Sequence, residues 1–148
     1  MIKVKAFSSI VAIVLSLLTG TVFAQQPATV GDVLDKGGKK LTKEELSALL
    51  TGAVVSGTQA GTGAIYRNTL NPDGSVSGSA VRSDGQSVGV FGKWTVNDQG
   101  QQCWDLSTGP GSKFGTCAFY FLLDNVYYTS TSGDERTAAL LVRDIKKR

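Results

Sequence analysis

The chain has 148 residues, 15 Lys+Arg against 12 Asp+Glu for a formal net charge of +3, and no histidine. Without histidine there is no Ser-His-Asp or Cys-His catalysis, no His-bearing zinc site and no imidazole pH switch. The length fits one domain, 41% hydrophobic residues exclude a disordered chain, and so small a charge gives no reason to expect a nucleic-acid partner.

Residues 1–24 read as a secretory signal peptide. Lys3 and Lys5 precede an apolar run centred on Ile10-Val11-Ala12-Ile13-Val14-Leu15. Gly20 and Thr21 break that run, and Val22 and Ala24 supply the small residues a signal peptidase accepts before Gln25. The run is shorter than the about 20 apolar residues that cross a bilayer, so no stable membrane span is expected after cleavage. No cysteine follows the cut and the n-region has no Arg pair, so a lipoprotein anchor and twin-arginine export are not expected. Loss of Lys3 and Lys5 leaves a nearly neutral mature chain, expected in the periplasm or secreted.

Residues 25–40, polar and rich in Gly and Lys, read as a flexible lead-in. A single short helix is then expected. Thr42 and Glu45 form a capping box, Leu41 and Leu46 stand where a hydrophobic staple packs, and Leu46, Leu49 and Leu50 share a face. Gly52 supplies the left-handed residue that stops it.

From Ala53 the pattern changes to short β runs between turns. The runs are 53–58, 62–70, 75–82, 86–96, 101–107, 116–124, 126–130 and 137–145. Asn71-Pro72-Asp73-Gly74, Ser83-Asp84-Gly85, Asn97-Asp98-Gln99-Gly100 and Ser132-Gly133-Asp134-Glu135 are the turns, and Asn125 marks a bend. Val88, Val90, Trp94 and Val96 fall on one parity. Gly57, Gly61, Gly63, Gly78, Gly89 and Gly92 lie in or beside strands, where glycine marks bulges, curvature or close backbone approach. The fold class that follows is mainly β: a single small antiparallel β-barrel or strongly curved sheet over residues 41–148.

Cys103 and Cys117, an even count in an exported chain, read as a disulfide across a hairpin through Gly109-Pro110-Gly111. A redox or metal role lacks the C-x-x-C spacing and the further ligands it needs, so neither metal nor cofactor is expected. Gly109-Pro110-Gly111-Ser112-Lys113 does not meet the phosphate-loop pattern, because Phe114 follows Lys113. Trp94, Phe119 and Phe121 are expected in the core, and Tyr66, Trp104, Tyr120 and Tyr128 near a ligand pocket. The basic tail Arg143-Asp144-Ile145-Lys146-Lys147-Arg148 reads as a solvated terminus.

Residues 41–52, Asn71-Pro72-Asp73-Gly74, Gly92-Lys93-Trp94-Thr95-Val96, Gln102-Cys103-Trp104-Asp105 and Cys117 together resemble small exported domains of uncharacterised function from Gram-negative bacteria. The resemblance spans roughly residues 41–128. It implies a calycin-like β fold in the periplasm or outside the cell, and carries over no catalytic residue. The expected function is non-enzymatic binding of a small apolar ligand or an envelope protein. The alternatives are a cell-envelope hydrolase using Asp105 and Asp124, or a purely structural envelope protein.

Overall fold

A computed structural model describes residues 26–148, and the expected signal peptide lies outside the described residues. Eight strands form a closed antiparallel barrel: β2 (Ala53–Thr58), β3 (Ile65–Leu70), β4 (Ser75–Val81), β5 (Ser87–Val96), β6 (Gln102–Gly109), β7 (Ser112–Leu123), β8 (Val126–Ser130) and β9 (Leu141–Lys147). Each pairs with the next in sequence, and β9 closes the circle against β2. Closure leaves none of those strands as a free edge of the sheet.

Alternation decides what the barrel holds. Directly opposed residues of neighbouring strands share a face, so one set can be followed round the whole wall. From Gly57 it passes to Tyr66, Ala80 and Val88, and a turn of the pleat further along to Trp94, Trp104 and Thr116. Tyr120, Thr129, Leu141, Arg143 and Ile145 complete it. This is the inner face. The outer face of β3 to β6 carries Arg67, Ser77, Ser79, Lys93 and Asp105, all exposed to water.

Two helices pack on the barrel rather than the single one expected. Residues 26–40 do not form a lead-in: α1 (Val30–Asp35) and the two-residue β1 (Lys39–Lys40) occupy most of that stretch. Thr29 accepts from the Asp32 N–H while the Asp32 carboxylate accepts from the Thr29 N–H, a second capping box. Val30 and Val33 are fully buried against Phe121, Leu123 and Tyr128 on the outer face of β7 and β8. Burying these side chains offsets the cost of ordering so short a helix. β1 pairs with Leu122 and Phe121, extending the edge of β7 past the point where β6 begins.

The second helix, α2 (Lys43–Leu50), has the expected Thr42–Glu45 box and ends at Gly52 with φ +74°. It plugs one end of the barrel. Leu46 and Leu50 are fully buried with Leu41, Val55, Leu70, Val76, Trp94 and Tyr120. Trp94 also donates from Nε1 to the Asn71 carbonyl at 3.0 Å, tying the plugged end to the β3–β4 turn.

The expected bounds of β7 and β9 shift the most. β7 starts at Ser112 rather than 116, because the Gly109-Pro110-Gly111 turn is tight and Ser112 already pairs with Gly109. β9 runs from Leu141 to Lys147 rather than 137–145, since residues 136–138 are held in a turn that hydrogen-bonds α1. Cys103 and Cys117 lie directly opposite each other on β6 and β7 and are joined in a disulfide.

Candidate functional site

The end of the barrel opposite α2 is not plugged. There the β2–β3, β4–β5, β6–β7 and β8–β9 connections surround a cavity of about 1140 Å³ that runs into the barrel. An eight-stranded barrel is just wide enough either to fill itself with side chains or to hold one small ligand. In this chain α2 and the large residues beside it fill one half, and the other half is left open.

The cavity's wall follows from the alternation already described. β6 contributes Trp104 and Leu106, β7 Phe114 and Thr116, β5 Val88 and Val90, and β4 only Ala80. A wall that is bulky on β6 and β7 and small on β4 leaves an asymmetric hollow. Tyr66 meets Trp104 edge to face, with ring centroids 6.4 Å apart.

Polar groups converge at its deeper levels. Asn68 lines the cavity, is only 3% exposed, and its Oδ1 has no hydrogen-bond partner. The Asn68 amide lies in the space where a side chain on Gly78 would stand. Tyr120 donates its hydroxyl to Gln102 Oε1, both fully enclosed, and leaves Gln102 Nε2 unpartnered. Burial pushes the Tyr66 phenol above its ordinary range, and the Arg143 charge pulls it partly back. The Tyr120 phenol is pushed higher still, by burial first and then by Tyr66, again opposed by Arg143. Tyr66, Tyr120 and Arg143 therefore sense one another across the barrel's middle.

Of the four aromatic residues expected near a pocket, Tyr66 and Trp104 line the cavity. Tyr120 faces inward but lies in the packed half below it. Tyr128 faces outward beneath α1, because Tyr127 takes the inner position on β8. Of the expected core residues, Trp94 is buried inside the barrel and Phe121 is fully buried in a second core beneath α1, where Phe119 is half-buried beside it.

Asp105 and Asp124 are not brought to the cavity. Asp105 is exposed on the outer face of β6 opposite Lys93 and Gly115. Asp124 sits with Asn125 in the β7–β8 turn, both at positive φ, at the plugged end. Among the described residues, no group of three His, Cys, Asp or Glu side chains is arranged to hold a metal ion.

Arg143, Asn68 and Phe114 are among the lining residues that the sequence did not mark as such. Arg143 was hidden in a basic tail, yet Leu141, Arg143 and Ile145 alternate with Val142 and Asp144 on one parity. Tyr66, Asn68 and Leu70 do the same on β3. No family model, curated protein or solved structure matches this chain.

Proposed function

We propose that this is an exported, non-enzymatic binding protein that holds a small, largely apolar molecule inside its barrel. The observation that carries the reading is the cavity of about 1140 Å³, walled by Trp104, Leu106 and Phe114 and lined also by Asn68, whose buried Oδ1 has no partner. Natural small-molecule sites are concave, mostly apolar, around 300–1,000 Å³ in size, and carry a few placed polar groups. A polar atom buried without a partner costs about 1–3 kcal/mol, and a ligand that supplies the partner recovers it.

The location belongs to the same proposal. A disulfide persists in oxidising compartments, and the amino-terminal sequence reads as an export signal. Among the described residues no helix is long and apolar enough to cross a membrane. The resemblance to small exported bacterial domains points the same way.

Native mass spectrometry of protein recovered from the periplasm tests the reading. The expected spectrum shows a second species heavier by one small molecule, which is lost on denaturation. A ligand-free mass throughout, with no small apolar compound taken up on incubation, overturns it.

A further inference from the structure

Arg143 is the one charged side chain that a strand of the barrel directs onto the cavity wall among the described residues. The other charged lining residues, Arg82 and Glu135, are exposed on the rim connections. Arg143 is held at three points. Its guanidinium lies across Gly57, where an added Cβ would come within 2.7 Å of Nη1 and 3.0 Å of Cδ. Nη1 donates to the Thr58 carbonyl at 3.1 Å and to the Val142 carbonyl at 3.0 Å. The guanidinium carbon stands 5.6 Å from the centre of the Tyr66 ring, a cation–π placement.

What that seat lacks is an anion. Among the described residues no carboxylate forms an ion pair with Arg143. Arg143 is half-buried, and a guanidinium fork matches carboxylate and phosphate oxygens geometrically. A second observation points to a ligand independently. On β3, two residues beyond the Tyr66 that Arg143 covers, Asn68 also lines the cavity, and its buried Oδ1, lying over Gly78, has no partner. That oxygen calls for a hydroxyl or N–H donor.

We propose that the ligand is an anionic amphiphile. Its carboxylate or phosphate head binds Arg143, a hydroxyl or N–H near the head donates to Asn68, and its apolar body packs against Trp104 and Phe114. The inference rests on the cavity being a ligand site, and adds the charge of the ligand and the residue that reads it. Carboxylate and phosphate heads share this chemistry, and the probes below separate them.

The test is calorimetric titration of the purified protein with dodecanoate, dodecyl phosphate and dodecanol. At least one anion is expected to bind about tenfold or more tightly than the alcohol, the range of a hydrogen bond to a charged group. The better anion identifies the head. Arg143→Met is expected to abolish that preference while leaving dodecanol affinity unchanged, and Arg143→Lys to restore part of it. Gly57→Ala keeps the arginine but unseats it, and is expected to reproduce the loss, so the test survives if Arg143→Met does not fold. Equal affinity for all three probes, or a preference that persists in Arg143→Met, overturns the inference and leaves the cavity reading standing. No binding of any probe overturns both.

Discussion

Tyr120 and Gln102 show how a single pair sets the character of this interior. The Tyr120 hydroxyl has one acceptor, Gln102 Oε1, and the Gln102 amide nitrogen has none. Tyr120→Phe strands the acceptor as well as the nitrogen, and Gln102→Leu strands the hydroxyl. Each single change is expected to cost about 1–3 kcal/mol, while the double variant costs less than the sum because no polar group is left behind. Urea unfolding of the four proteins checks this, and strict additivity would refute it. At this scale the sequence was readable only in part. Trp94 falls on the parity of Val88, Val90 and Val96 and was legible as an inward residue. Tyr120 and Phe121, and again Tyr127 and Tyr128, are adjacent aromatic pairs, of which the pleat allows one inside. Nothing in the residues themselves says which, because β7 and β8 are covered on both faces and both parities read as apolar.

The helices carry the next level of organisation. α2 was legible from its first residues, because a capping box, a staple and a terminal glycine all agree. α1 was not, although Thr29 and Asp32 form the same kind of box. The Asp32 carboxyl is held below its usual range, mainly by the Ala28 N–H and then by Thr29. Its apolar content is only Val30, Val33 and Leu34, too little to stand out from a polar stretch, and its stability comes from the wall beneath it. Leu46→Ala removes a fully buried side chain from the centre of α2, and is expected to cost about 2–5 kcal/mol. Guanidinium melts of the variant check the figure. A loss below about 1 kcal/mol would mean that α2 is not what closes this end.

The whole barrel has a weak point at high pH. Tyr66 and Tyr120 are both held neutral by burial, with ionisation raised above the ordinary value of 10.0. In the unfolded chain they release protons near that value. The stability they contribute is therefore complete below about pH 10 and is lost as the pH climbs from there toward their folded values. Unfolding midpoints measured from about pH 8 to about pH 11 are expected to fall above about pH 10, and less steeply in Tyr120→Phe. An identical slope in that variant would show that other groups govern the alkaline limit. The fold class was legible because turns recur at short intervals between β runs, and regular spacing survives errors in individual boundaries. The cavity was not, because it is a residue of packing: it exists where Ala80 fails to fill what Trp104 and Phe114 leave.

The joint between β9 and β2 brings together the two barrel segments that lie farthest apart along the chain, Leu141–Lys147 and Ala53–Thr58. Every other contact between barrel strands is a local hairpin or near-neighbour pairing, formed at small entropic expense. Until the last strand arrives, β2 and β8 each offer a bare ladder to any passing chain. Assembly thus has a zipper whose final tooth is cut from its two ends. The same late segment delivers Arg143, so an incomplete cylinder is also one without the cation on its inner wall.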